Sequence, residues 1–278
     1  MRKLKFKLYT GAAAVALTLS LLAACNKKDD NKNTTTVTED TGYATDQNLS
    51  EKMYDDVQTI ADKASVTPSG GSGAFKTSAC ATVTHSGSTI TVDFGPTNCL
   101  CADGRNRRGK IIINYTGKYA DSGSTHTVTF DNYYQNDNKI EGTKTVTNMG
   151  TNSSGQKYFN VTVSGTITKA DGTIIVTNWT RVRTWVAGSA TPLDWTDDVY
   201  RITGSGTITR PAGVVNVSIA AATPLEVHLD CKWIESGTIT YTLPSGLTRT
   251  LNYGDTPSCD NQAKLTLPSG VVKTITLP

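Results

Sequence analysis

Trp179, Arg181, Arg183 and Trp185 alternate along one short stretch of the chain. In an extended backbone, residues two apart share a face, so two indoles and two guanidiniums stand in a row. Such a row can stack as a structural cation–π ladder or offer a platform to sugar rings and anionic ligands. If the preceding turn near Ala170–Gly172 has two residues, cross-strand parity puts Phe159, Val161 and Val163 on the opposite face. The stripe then lies away from that core and is the candidate ligand-binding face. A second cluster is the loop from Asp103 to Lys110, the densest run of positive charge outside the N-terminal leader. Its Arg105, Arg107, Arg108 and Lys110 suit phosphate, a lipid headgroup or an acidic glycan, or else form a solvated turn.

The familiar catalytic signatures are missing. The chain has no Gly-x-Ser-x-Gly, no His-Glu-x-x-His and no complete phosphate-binding Gly-x-x-x-x-Gly-Lys-Ser/Thr, since the run from Gly104 to Lys110 continues into Ile111. His85, His126 and His228 sit far apart at no metal-ligand spacing and read as structural. Asp194, Asp197 and Asp198 read as turn formers ahead of a strand rather than cation ligands. Neither a metal nor a cofactor is expected. Sheet pairing can still bring two acids together, which keeps a hydrolase open.

Five cysteines follow Cys25. A turn centred at Pro244–Ser245 makes Cys231 face position 258, so Cys231 is expected to pair with Cys259. Cys80 and Cys99 flank the turn at Ser86–Gly87 and form the second expected pair, leaving Cys101 over. Both pairs need an oxidising compartment.

The N-terminus supplies one. Arg2, Lys3, Lys5 and Lys7 precede an apolar run from Gly11 to Ala24, too short to span a bilayer comfortably. Leu22-Ala23-Ala24-Cys25 resembles the lipobox of bacterial lipoproteins. The resemblance implies that residues 1–24 are a removed signal peptide and that Cys25 is acylated, which anchors the protein to the outer membrane. The remaining 254 residues carry 23 Lys and Arg against 24 Asp and Glu, so nucleic acid is not a partner. Residues 25–45 read as a polar tether. Lys27-Lys28-Asp29-Asp30 resembles the export signal of surface lipoproteins, or is a plain solvated spacer.

These groups must be positioned by the elements that follow. Residues 46–75 hold one short amphipathic helix and a Gly/Ser linker: Leu49, Met53, Val57, Ile60 and Ala64 recur at helical spacing, with Asn48 and Glu51 as a capping-box variant. Residues 76–278 switch to period two, as at Ile111, Ile113 and Tyr115, at Phe159, Val161 and Val163, and from Leu225 to Trp233. Frequent tight turns separate the runs. The fold class is therefore all-β: a large antiparallel hairpin meander forming a curled sheet, a sandwich or a partly closed barrel, with one N-terminal helix.

The segments Asp93-Phe94-Gly95, Asp103-Gly104-Arg105, Arg108-Gly109-Lys110-Ile111, Gly142 to Asn148, Asp197-Asp198-Val199-Tyr200 and Cys259 to Ala263 resemble a family of uncharacterised envelope lipoproteins of Bacteroidota. The resemblance implies a shared β fold and an envelope location, and it brings no activity. The chain thus reads as a lipid-anchored, non-enzymatic binding or structural module whose partner is a glycan, a lipid or an envelope protein. The alternatives are a carrier holding an apolar ligand in its curled sheet, and a hydrolase.

Overall fold

A computed structural model describes residues 36–65, 67, 69–70, 80–191 and 194–277, with the side chains of 36–41 and of 195 excepted. The lipobox with Cys25 and the leader lie outside the described residues. So does most of the Gly/Ser linker.

One helix and fifteen strands make up the described chain. Helix α1 spans Thr36–Ser65. The strands are β1 (Thr82–Ser86), β2 (Thr89–Asp93), β3 (Cys99–Leu100), β4 (Asn106–Tyr115) and β5 (Thr125–Gln135). They continue with β6 (Asn138–Thr151), β7 (Lys157–Thr168), β8 (Ile174–Ala187), β9 (Val199–Arg210) and β10 (Gly213–Ile219). The last five are β11 (Leu225–His228), β12 (Gly237–Thr242), β13 (Thr248–Gly254), β14 (Gln262–Thr266) and β15 (Val272–Thr276). All pairings are antiparallel, and neighbours in sequence are almost always neighbours in the sheet. Only β3, on β4, and β11, on β9, leave the main path. The sheet does not close on itself: β1 and β15 are its two edges.

A sheet this wide must curl, and its hollow must be filled. Helix α1 fills it. Tyr54 and Val57 are wholly buried, and the helix touches strands from both arms of the curl. Asp56 accepts from Gln135 Nε2 of β5 at 2.8 Å, and Asn48 accepts from Tyr253 Oη of β13 at 3.3 Å. The apolar spacing from Met53 to Ala64 is buried as expected of such a stripe. The other sides of the helix are buried as well, including Gln47, Asn48, Ser50, Glu51 and Gln58.

The helix also starts earlier than its apolar spacing indicates. It begins at Thr36, inside the stretch read as tether, so Asn48 and Glu51 are mid-helix and cap nothing. Tertiary contacts hold the extension in place. Tyr43 and Ala44 are buried, Tyr43 Oη donates to the Gly213 carbonyl at 3.4 Å, and Asp46 is bridged by Arg210 at 2.6 Å and Lys169 at 3.4 Å. These contacts override weak local helix propensity.

The turns at 136–137, 169–173, 211–212, 243–247 and 267–271 share one end of the sheet, where α1 begins. The loops at 116–124, 152–156 and 188–198 share the other, where α1 ends. The run from Leu225 is shorter than its alternation implies: β11 stops at His228, and Leu229 to Glu235 form a turn closed by a disulfide. Both expected disulfides are present, Cys80–Cys99 and Cys231–Cys259, with Cα separations of 5.4 and 5.8 Å. Cys101 is the free thiol among the described cysteines.

Candidate functional site

The Trp/Arg stripe does not face away from the core. The register pairs Phe159 with Arg183, Val161 with Arg181 and Val163 with Trp179, so all six lie on the hollow side of the sheet. The turn decides this. Lys169 N–H donates to the Thr173 carbonyl at 2.9 Å and Gly172 N–H donates to the Lys169 carbonyl at 2.8 Å, with Gly172 at φ 84°. The loop is therefore a three-residue turn rather than a two-residue one, and an odd loop reverses the parity. Helix α1 covers the stripe. Trp179 packs edge-on against Tyr54 at 6.3 Å between ring centroids, and Arg181 pairs with Glu51. Trp179, Arg181 and Arg183 are buried, which makes three of the four packing groups rather than an open platform.

The basic loop is not an open anion site either. Arg105 bridges Asp103 at 2.8 Å and Asp56 at 3.1 Å, Arg107 bridges Asp103 at 2.6 Å, Arg108 pairs with Asp137, and Lys110 pairs with Asp93 at 3.3 Å. Each cation already has a carboxylate partner. The hollow is not an apolar lipid groove: α1 occupies it, and Lys144, Arg181 and Arg183 are buried on its sheet side.

The fourth member of the stripe behaves differently. Beyond the C-terminal turn of α1 the hollow stays open as a pocket of about 700 Å³, within the range of small-molecule sites. Two ring pairs line it. Tyr119 stacks on Phe159 at 4.9 Å with His126 edge-on at 5.2 Å, and Trp185 stacks on Tyr200 at 5.6 Å. Arg183 lies over the Tyr200 ring at 3.6 Å, and Lys157 sits 5.7 Å from Trp185. Asp62 enters from α1 and Asp198 from the head of β9. Trp185 Nε1 donates to Asp198 Oδ1 at 3.0 Å, and Gln58 Nε2 donates to Asp62 Oδ1 at 2.8 Å.

Burial shifts several titratable groups of this pocket. Burial pushes the Asp198 carboxyl up to about 6, against the pull of the Trp185 N–H. Burial raises Asp62 too, opposed by Arg183 and the Gln58 amide. It pushes the His126 imidazole below its ordinary value, opposed by Asp62 and a backbone hydrogen bond at Gly117. Two buried polar atoms of the lining, His126 Nε2 and Tyr119 Oη, have no hydrogen-bond partner among the described residues. A buried donor or acceptor left unmade costs about 1–3 kcal/mol, so each keeps unused hydrogen-bonding capacity toward the pocket.

The sequence singled out only Trp185 of this pocket. Asp198 was read as a turn former and His126 as structural. Tyr119 lies in the loop that follows β4. A smaller cleft of about 270 Å³ lies along the outer side of α1 between the Cys80–Cys101 region and the 227–234 turn. No known protein family, curated protein or solved structure matches the chain.

Proposed function

We propose that the protein is a lipid-anchored envelope module that binds a saccharide-type ring in the pocket at the end of α1. The observation that carries this reading is the pairing of stacked aromatic faces with unsatisfied polar atoms in one cavity. The open ring faces of Trp185 and Tyr119, backed by Tyr200 and Phe159, suit the C–H faces of a sugar. Asp62, Asp198, His126 Nε2 and Tyr119 Oη suit its hydroxyls, since carboxylates accept and the phenol both donates and accepts.

Cys25 lies eleven residues before Thr36, a span of at most about 40 Å of extended chain. The helix begins at the end of the sheet that carries the exposed aliphatic side chains Leu100, Ile174, Val214, Leu247, Val271 and Val272. That end faces the membrane in this reading, and the pocket opens at the other.

A titration of the full chain against a panel of envelope and host saccharides tests the reading, followed by thin-layer analysis of the mixture. Binding to a member of the panel is expected, weakened by at least about tenfold in Trp185→Ala. Cys25→Ser should release the protein from membranes. No binding across the panel, or equal binding by Trp185→Ala, defeats the pocket assignment. A second reading, hydrolysis, rests on the two raised carboxyls Asp62 and Asp198 at one pocket. Turnover of a bound saccharide that stops in Asp198→Asn would favour it over simple binding.

A further inference from the structure

A second group of chemically active side chains lies on the turn after β11, apart from the aromatic pocket. His228, Asp230 and Glu235 each offer a ligand atom, all within 4.8 Å of one another. Nε2 of His228 stands 3.4 Å from Glu226 Oε1 and 3.6 Å from Glu235 Oε2. Both gaps are long for a charged hydrogen bond. They match the separation of about 3.3 Å between ligand atoms held tetrahedrally at about 2.0–2.1 Å from one ion.

Charge balance points the same way. Three carboxylates, Glu226, Asp230 and Glu235, converge on a single imidazole. Among the described residues, only Glu226 has an ion-pair cation besides His228, Arg201 Nε at 2.9 Å from Oε2, which leaves Oε1 turned toward the ring. Glu235 is 94 % buried (6 % exposed), and its carboxylate accepts no hydrogen bond among the described residues; its single ion-pair contact is the 3.6 Å approach of His228. A buried carboxylate crowded by like charge is stable only with a further cation or a proton.

The backbone holds the group in place without metal. Glu226 N–H donates to the Ser236 carbonyl at 3.1 Å and Glu235 N–H donates to the Glu226 carbonyl at 3.0 Å, which returns Glu235 to the side of β11. The Cys231–Cys259 disulfide ties the turn to the segment before β14. Strand alternation puts Glu226 and His228 on one face, and this return brings Glu235 to them.

We propose that His228, Asp230 and Glu235 bind a first-row divalent cation of the zinc class as three protein ligands, with the fourth position left to water and Glu226 beside the imidazole. One imidazole with carboxylates is a zinc-type set, whereas calcium and magnesium select oxygen donors alone. The ion fixes the turn that carries Leu229, whose side chain lines both the aromatic pocket and the smaller cleft.

The experiment uses the full chain, stripped with chelator and kept oxidised, titrated calorimetrically with Zn²⁺ alone. Co²⁺ substitution reads the coordination by visible absorption. The expected result is one Zn²⁺ per chain and the intense absorption of tetrahedral cobalt, with affinity falling at least about tenfold in Glu235→Gln and in His228→Gln. Asp230→Asn, at an exposed position, should weaken binding while leaving the melting temperature of the metal-free protein unchanged. His85→Gln, on β1, should bind as the parent does. Absence of saturable binding, full affinity in both Glu235→Gln and His228→Gln, or binding that appears only after the disulfides are reduced overturns the site. These outcomes do not depend on whether the aromatic pocket binds a saccharide.

Discussion

Arg181 of β8 and Glu51 of α1 form a buried ion pair, with Arg181 Nη2 donating to Glu51 Oε1 at 2.5 Å and both side chains almost fully enclosed. The guanidinium also lies 5.0 Å from the Trp179 ring, and Gln47 Nε2 donates to Glu51 Oε1 at 2.7 Å. Helix and sheet are therefore joined by paired polar groups at the centre of the hollow, where most proteins place aliphatic side chains, with Arg181 Nε and Gln47 Oε1 left without a hydrogen-bond partner among the described residues.

Removing one partner of this pair leaves the other charge stranded. Arg181→Met should cost about 3–5 kcal/mol in chemical denaturation. The double variant Glu51→Gln with Arg181→Met should recover a large part of that loss, because no lone charge then remains in the interior. A single-variant cost below about 1 kcal/mol would show that the pair is solvated.

Gly165 of β7 makes room for the helix. A Cβ there would stand 1.7 Å from Tyr54 Oη, which itself donates to the Glu141 carbonyl at 3.1 Å. Gly165→Ala must push Tyr54 and the middle of α1 away from the sheet, and should lower stability by roughly 1–3 kcal/mol. Tyr54→Phe keeps the packing and removes one hydrogen bond, a loss of about 1 kcal/mol. Adding Tyr54→Phe to Gly165→Ala should relieve part of the clash, and thermal melts of the three variants measure it.

Asp198 gives stability a distinctive pH dependence. Its carboxyl is held at about 6 in the folded protein, above the unfolded value of about 3.9. The folded state thus keeps a proton that the unfolded chain releases, and the stability this proton lends is greatest at low pH and is lost as pH rises through 6. Asp55, partly exposed beside Lys144 and also held near 6, adds a slope of the same sign. Asp198→Asn should flatten the fall in melting temperature between pH 4 and 7 without abolishing it. An unchanged profile would place Asp198 in ordinary solvent.

The strands were legible because one face of each is buried. Ile111 and Ile113, or Phe159, Val161 and Val163, announce a period of two that no helix shares. The Cys231–Cys259 and Cys80–Cys99 pairs followed from counting outward from turns. The same counting failed at 169–173, because Ala170-Asp171-Gly172 serves a two-residue or a three-residue turn, and one residue of difference reverses a face. The first turns of α1 were illegible for another reason: Thr36 to Gln47 carry no apolar period, and partners as distant as Arg210 make them helical. The pocket was hidden because it draws Asp62, Tyr119, His126, Trp185 and Asp198 from five separate segments.

The helix that fills the sheet sets the order in which the molecule is assembled. It leaves the ribosome before the strands, yet its partners lie as far as 205 residues downstream, as between Asn48 and Tyr253. Without the sheet it has nothing to bury, and a free helix of thirty residues with Thr and Gly in its first turns is marginal in water. It therefore becomes a lasting helix late, after β13 has closed the far arm of the curl. Its polar surface keeps the waiting segment soluble, where an apolar core helix would invite aggregation. Such long-range contacts slow folding, and the step at which α1 docks is the one that completes both the hollow and the pocket beyond its end.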